Sequence, residues 1–419
     1  MKTGERIEKR NSLRPCVLLA ERTVGSTVGI IRSIGSRGVP VYVLVTARDD
    51  KDNKYASIYS WSRYCHSAKI IAPVADGTSW CHHLLEWADR QEFSEKPLLF
   101  PLTDKMCTLT ADHRMLLAKE FDIAMPNNEV LLNMLDKTKA NRLAKEYGLE
   151  VPLAGNADSK EELAKLTEEI SLPAIVKPTW WRRRGMRNFR AELCDTKNQL
   201  LTVGIGLIDK GASILVQEYI PGGDDTVEVY MFYRSRDGRT IHGCSGHKIR
   251  QIPPGVGSMA SGQAVLLPHI VEMSNAFLEK IDYRGLGGIE YKRYRDKSYF
   301  IEMSVRPEGF HILAIKAGVD LPWLAYSDMA FGKINRERIS QKEAYYITTD
   351  AYVSLWRRYR KQIPVLREMF TFFFTGKTQF GLWSGRDPLP WIAQMVNLSK
   401  EALTRMLRYF GLLSSRNKY

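Results

Sequence analysis

The chain has 419 residues, 44% hydrophobic and 26% charged, with a net charge of +14. That balance is globular and excludes long disorder, and the length allows two or three packed units rather than one core. No run of about 18 uncharged apolar residues occurs, which argues against a spanning helix.

The start, Met1 to Arg14, is polar and charged and lacks the apolar core of a signal peptide. Six cysteines (Cys16, Cys65, Cys81, Cys107, Cys194, Cys244) are scattered with no CxxC, so neither a zinc site nor a disulfide framework is expected. The chain reads as cytoplasmic, with reduced thiols. Its charge is uneven. From Ala351 to Tyr419 there are 12 Lys or Arg against 3 Asp or Glu, so the other 350 residues carry only +5. A basic tail suits an anionic partner, or is simply a solvated face.

The first segment alternates strands and helices. Pro15–Ala20 reads as a strand, Gly25 and Gly29 as a glycine-bearing turn into a helix ending near Arg37, and Val39–Val45 as the next strand. GxGxxG is absent, which counts against a dinucleotide-binding dehydrogenase. The pattern continues through Lys69–Ala72 and Leu98–Leu102. Asp104 follows that last strand, where open parallel sheets place ligands; capping the next helix is the plainer role.

A second unit begins near Pro126. Leu135–Tyr147 reads as a helix stopped by Gly148. Strands are expected at Ala174–Lys177, Ser213–Tyr219, Thr226–Arg234, Thr240–Lys248, Gly288–Tyr294 and Ser298–Met303. From about Lys333 the composition turns aromatic and basic.

Several residues in this stretch carry chemistry. Lys177 ends an apolar strand, where a cation holds phosphate as a point charge. Trp180 to Arg190 follows with five arginines and two tryptophans and reads as a basic loop over an anion, with an exposed surface loop as the alternative. Ile214–Gly222 is a strand stopping at Pro-Gly, so its last backbone groups can read an adenine edge, with Asp224 and Asp225 near for ribose hydroxyls. Lys248 and Arg250 stand at i and i+2, on one strand face. Glu290 and Glu302 lie on two strands joined by a tight turn and can face each other as hard oxygen ligands for Mg²⁺. Cross-strand pairing with Lys292 or Arg293 is the alternative.

In this order the residues resemble the ATP-grasp superfamily, within it the carboxylate–amine ligases, from about Arg14 to Gly332. Asp136-Lys137 through Gly148 to Pro152 is similar to the family's "DK…A…G…P" segment, and Leu172–Pro178 to its lysine–proline strand. The resemblance implies that Lys137, Lys177 and Lys248 contact phosphate and that Gln217, Glu218, Tyr219 and Ile220 pair with adenine. It implies that Asp224 or Asp225 binds ribose, that Glu290, Glu302 and Ser304 hold metal, and that Arg250 and Arg306 act on the developing acyl phosphate. Ser304 stands where the family has Asn, and the loop after Lys177 is arginine-rich where the family's is small and glycine-rich.

The implied fold is α/β: a Rossmann-like pre-ATP-grasp domain (1–125), an ATP-grasp domain of two α+β subdomains (126–335) and a C-terminal helical extension (336–419). The implied activity is ligation of a carboxylate to an amine through an acyl phosphate, with ATP and Mg²⁺. An ATP-grasp protein that binds a nucleotide or an acidic ligand without turnover is the alternative. Dimers are common in such folds, so a homodimer is expected. No nucleic-acid signature occurs, and none is expected as partner.

In the tail, Met369–Phe374 is strongly apolar between Arg367 and Lys377. Trp391, Met395, Leu398, Ala402, Met406 and Tyr409 recur at three- and four-residue steps. Both segments read either as faces packed on the body or as a basic amphipathic anchor on the inner face of an anionic membrane.

Overall fold

The computed structural model describes residues 13–47, 52–71, 77–179, 191–334, 336–337 and 339–409. The chain divides into two compact units, Met1–Ile123 with Gly381–Tyr419, and Ala124–Phe380.

The first unit is built on a five-stranded parallel sheet: β1 (Cys16–Ala20), β2 (Val41–Thr46), β3 (Ser67–Ile71), β4 (Leu98–Pro101) and β5 (Asp122–Ile123), in the order β3-β2-β1-β4-β5. Chain direction across the sheet reverses at β1, the Rossmann-like arrangement. Every residue of β1 is buried, which a run with no polar position requires. Val17, Leu19, Leu44, Trp80, Leu84 and Leu99 belong to one core cluster there.

Two expectations for this unit change. Thr23 accepts the first helical hydrogen bond from Thr27, so the helix Val24–Gly35 is under way before Gly25. Gly25 and Gly29 are therefore helical, and the turn after β1 is made without glycine. Asp104 opens the helix Asp104–Asp112 but does not cap it. Thr103 does, its hydroxyl accepting from Met106 N at 3.2 Å. Asp104 lies in the first turn, where a carboxylate suits the helix dipole.

The tail from Gly381 belongs to this unit, and Asp387 fixes it. Its carboxylate, 1% exposed, accepts from Arg32 Nε at 2.9 Å, Ser62 Oγ at 2.8 Å and Arg63 N at 3.0 Å. Removing one partner of a buried ion pair costs about 3–5 kcal/mol, because the other charge is left uncompensated. Asp387→Ala is expected to lower the melting temperature by roughly 6–12 °C in a thermal scan. An unchanged melting point would mean the contact is not needed. The helix Leu389–Tyr409 packs beside Asn53–Ser60. Trp391, Met395 and Leu398 of its stripe are half-buried, whereas Ala402 and Met406 are exposed.

The second unit holds two antiparallel sheets. One is β6 (Ala154–Ala157), β9 (Ile214–Glu218), β7 (Ala174–Pro178) and β8 (Glu192–Cys194), in that spatial order. The other has the order β14-β13-β10-β11-β12-β15-β16. Its strands are β10 (Val227–Arg234), β11 (Ile241–Ile252), β12 (Ser258–Ala264), β13 (Gly285–Tyr294), β14 (Lys297–Ser304), β15 (Ala344–Ile347) and β16 (Thr378–Phe380). Only β15 and β16 run parallel.

The segment expected as one helical extension, 336–419, is thus divided. Up to Phe380 it completes the large sheet, because β12 would otherwise present an unpaired edge. The helices Thr349–Tyr359 and Val365–Phe374 pack on that end through Tyr352, Leu355, Val365 and Phe372. The helix expected over Leu135–Tyr147 is Lys137–Glu146, and a separate helix, Asn128–Leu135, precedes it. Asp136 breaks them, its side chain accepting from Thr138 N at 3.0 Å and Lys139 N at 3.1 Å. Gly148, at φ +89°, stops the second in the left-handed region that favours glycine.

Candidate active site

Pairing register decides which side chains meet. Glu290 on β13 lies directly opposite Glu302 on β14, and Gly288 opposite Ser304. Across β10, Val229 pairs with Glu290 and Val227 with Lys292. Strand alternation therefore sets Glu290, Lys292, Glu302 and Ser304 on one face. Lys248 on β11, 3% exposed, reaches the same face and donates to Glu290 Oε2 at 2.7 Å. The alternative pairings of the two glutamates are not made. Lys292 Nζ donates to Gly222 O at 3.0 Å and Gly223 O at 2.7 Å, and Arg293 pairs with Glu228 at 3.2 Å.

Two more lysines converge from elsewhere in the unit. Lys137, the first residue of its helix, stands 3.8 Å from Glu302 Oε2. Its N–H donates to Thr179 O at 3.4 Å, just past the strand that ends with Lys177 and Pro178. Lys177 is 5% exposed. Burial, then the nearby Lys137 charge, push its ammonium down to about 7, against the pull of Glu302 and Glu290.

The acids respond to these cations. Burial raises Glu290 above the usual carboxylate range, although Lys248 opposes it. Burial would raise Glu302 too, but Lys137, Lys177, Lys248 and Arg306 together outweigh it and hold it low. The Glu302 side chain keeps 43% of its surface open to water, so burial acts on it only in part. Four cations (Lys137, Lys177, Lys248, Arg306) thus surround Glu290, Glu302 and Glu308. Such a surplus favours a further anion.

The remaining expected residues divide. Gln217 is 2% exposed, and its Nε2 has no hydrogen-bond partner among the described residues. A buried orphan donor at a strand end fits a ligand acceptor such as an adenine edge. The backbone N–H groups of Glu218 and Tyr219 are already used, by Leu153 O at 2.8 Å and Pro173 O at 3.1 Å. Ile220 is buried just beyond them. Asp224 is 9% exposed and accepts three bonds, from Gln251 N at 2.8 Å, Gln251 Nε2 at 3.0 Å and Gly255 N at 2.7 Å. Asp225 is exposed.

A bulge between Lys248 and Arg250 breaks the two-residue alternation, so the two cations are not a matched pair on one face. Arg250 instead meets Glu368 of the helix Val365–Phe374, with Nε donating at 3.0 Å and Nη2 closing the fork. Ser304 Oγ donates to Glu308, and Arg306 Nη1 stands 3.6 Å from the same carboxylate. The basic loop 180–190 lies outside the described residues.

Three site residues were not anticipated: Glu308, His311 and Glu368. Glu308 is pushed up to about 7 by burial, against Arg306. His311, 1% exposed, accepts from Glu308 N at 2.9 Å and is held down to about 3 by burial and by Arg306. The Arg306-Pro-Glu308-Gly sequence, an acid before a helix start, is a signal that could have found Glu308. Nothing in the sequence marks Glu368.

Among the described residues no group of three or more His, Cys, Asp or Glu is placed to hold a metal on protein ligands alone. The facing pair Glu290 and Glu302 fits Mg²⁺, which takes one or two carboxylates and completes its shell with phosphate and water oxygens.

No family model matches the chain. It is 23% identical over 257 residues to D-aspartate ligase of Enterococcus faecium (strain Aus0004), a match covering 57% of this chain and 60% of that protein. The match therefore spans less than two thirds of that relative's length. The structure resembles N5-carboxyaminoimidazole synthetase from Staphylococcus aureus complexed with ADP, with a TM-score of 0.61 at 15% identity, covering 84% of this chain and 87% of that one. It also resembles L-amino acid ligase from Bacillus licheniformis, with a TM-score of 0.56 at 15% identity, covering 76% of this chain and 75% of that one. At these identities the structural likeness establishes the fold. The chain therefore has an ATP-grasp fold, with sequence similarity to a ligase.

Proposed function

We propose that the protein is an ATP-dependent ligase that activates a small-molecule carboxylate as an acyl phosphate and joins it to an amine, releasing ADP and phosphate. The observation that carries this reading is the convergence of Lys137, Lys177 and Lys248 on the facing pair Glu290 and Glu302. The facing carboxylates suit a metal and the lysines suit phosphate oxygens, the two supports that phosphoryl transfer needs. Six free thiols fit a reducing cytoplasm, where ATP is available.

In this reading Glu290 and Glu302 would hold Mg²⁺, which would supply charge neutralisation for the phosphates. Ser304 gives its hydroxyl to Glu308 and is not assigned to metal. Lys137, Lys177 and Lys248 hold the phosphate oxygens. The Gln217–Ile220 segment receives the adenine, with the Gln217 amide as donor.

A carboxylate oxygen attacks the γ-phosphorus, and the bond to the bridging oxygen of ADP breaks. The amine nitrogen then attacks the acyl carbon, and phosphate leaves. Arg306 faces the oxyanion that forms. Holding three reactants together makes each attack effectively unimolecular. Arg250, committed to Glu368, is a positioning residue that ties β11 to the helix Val365–Phe374.

Ribose falls to Asp225, because Asp224 is spent on internal donors. Asp224→Ala leaves two backbone N–H groups unpaired and is expected to cost about 2–4 kcal/mol of stability. Asp225→Ala should leave the melting point nearly unchanged and weaken ATP binding about tenfold. Thermal scans and ATP titrations of both variants check this, and the reverse pattern would exchange the two roles.

The reaction itself is tested with a carboxylate substrate labelled with ¹⁸O. Transfer of one label to inorganic phosphate, read by mass spectrometry, supports the acyl phosphate; unlabelled phosphate from a full turnover rejects it.

A further inference from the structure

The helix Val365–Phe374 has two apolar faces, and only one is covered. Val365, Met369 and Phe372 pack into the core formed with Tyr352 and Leu355. Leu366, Phe370, Phe373 and Phe374 stand at i, i+4, i+7 and i+8, on the opposite face. Each of these four is 67% exposed or more. The rings touch one another, Phe370 and Phe374 at 4.8 Å and Phe373 and Phe374 at 5.6 Å. Three phenylalanines and a leucine on ten residues are far beyond a scattered surface apolar residue.

Charge in this stretch is mostly of one sign. From Thr349 to Lys377 there are six Lys or Arg and two Asp or Glu. Glu368 is taken by Arg250, and Lys377 pairs with Glu343 at 2.6 Å. Arg357, Arg358, Arg360, Lys361 and Arg367 remain, all exposed and without an acidic partner among the described residues. Trp356, half-exposed on the neighbouring helix, lies under Arg360 at 5.6 Å.

We propose that this face docks on an anionic lipid bilayer, with Leu366 and the three phenylalanines in the acyl boundary and the arginines and Lys361 among the headgroups. The helix is about 15 Å long, so it lies in the interface and does not cross it. No helix among the described residues is long and apolar enough to span a membrane. The chemistry favours lipid over protein. The four apolar side chains carry no hydrogen-bonding group to read a partner, and a second copy of the chain would bring its own five cations against these. Apolar insertion and basic attraction are the two signals that together make peripheral binding stable. This goes beyond the ligase reading and does not depend on it.

The test is co-sedimentation of the full-length protein with vesicles of phosphatidylcholine, with and without about a third phosphatidylglycerol. The protein is expected to bind the anionic vesicles and to bind the neutral ones at least tenfold more weakly. Replacing Phe370, Phe373 and Phe374 together by serine should cut binding at least tenfold. Replacing Arg357 and Arg358 by glutamine should cut it about thirtyfold. Unchanged melting points and ATP binding in both variants show that the fold persists, and separate this result from that of the ligase assay. The proposal is overturned if the wild type ignores anionic vesicles or binds both kinds equally, or if the serine variant binds like the wild type. It is also overturned if the wild type is a dimer in vesicle-free solution and the serine substitutions dissociate it.

Discussion

Glu302→Ala is expected to lower the rate of ADP formation about a thousandfold, the loss seen when one preorganised charge is removed from a reacting centre. Glu302 faces Glu290 across the hairpin and is the more exposed of the two, with 43% of its side chain open against 14%. Glu290 is already held by Lys248 at 2.7 Å, so Glu302 is the acid freer to take a cation. The variant should fold normally, because its nearest charge, Lys137 at 3.8 Å, is itself partly exposed. Its affinity for ATP in the absence of Mg²⁺ should rise slightly, since a negative charge leaves the phosphate site. Mg²⁺ should no longer tighten nucleotide binding. Calorimetric titration of ATP with and without Mg²⁺ reads this directly, and an undiminished Mg²⁺ effect would remove Glu302 from the metal site.

Lys177 makes nucleotide binding depend on pH in a defined direction. Burial and the Lys137 charge hold the free ammonium down to about 7. Above that pH the site is mostly neutral at Lys177, yet a triphosphate favours the charged form. Binding therefore takes up a proton, and affinity falls by up to tenfold per pH unit above about 7. At pH 8.5, titrations in two buffers of different ionisation heat should reveal uptake approaching one proton. Lys177→Met should abolish the uptake and flatten the profile; identical heats in the two buffers would contradict the assignment. The same depression affects stability. Between about 7 and the ordinary lysine value near 10.5, the unfolded chain binds more protons at this position than the folded one, so Lys177 makes the ligand-free protein more stable as pH rises through that window.

The residues legible in the sequence are those whose neighbours are local. Lys177 announced itself as a cation ending an apolar strand, and Glu290 and Glu302 as acids twelve residues apart around a tight turn. Alternation then fixes their shared face. Gly148 stopped its helix where a left-handed residue was needed. What was not legible depends on distant partners or on a single inserted residue. Arg250 and Glu368 are 118 residues apart, and the bulge at Arg250 shifts the face by one position without leaving a mark in composition. Asp224 and Asp225 are chemically identical neighbours, and only the position of Gln251 and Gly255 separates a stapling carboxylate from an exposed one. The tail looked like one unit because its composition is uniform. Its division follows from two requirements that composition does not express, a partner for the edge of β12 and one for Arg32.

Ser304 illustrates the same point in chemistry. Where a side-chain amide is the superfamily's usual oxygen donor, a hydroxyl is shorter and also a donor, and here it turns to Glu308. Glu308 is then held between Ser304 and Arg306, close enough for Glu290 and Glu302 to raise it further. The serine thus bonds an acid, Glu308, that stands beside Arg306.

The most direct test of the account is ADP release by the purified protein with Mg-ATP across a panel of small carboxylates and amines, with Glu302→Ala as control. Release that requires both a carboxylate and an amine, and that disappears in the variant, is the predicted result. ATP binding without release for any pair would contradict the ligase reading and leave a nucleotide-binding protein on an ATP-grasp fold.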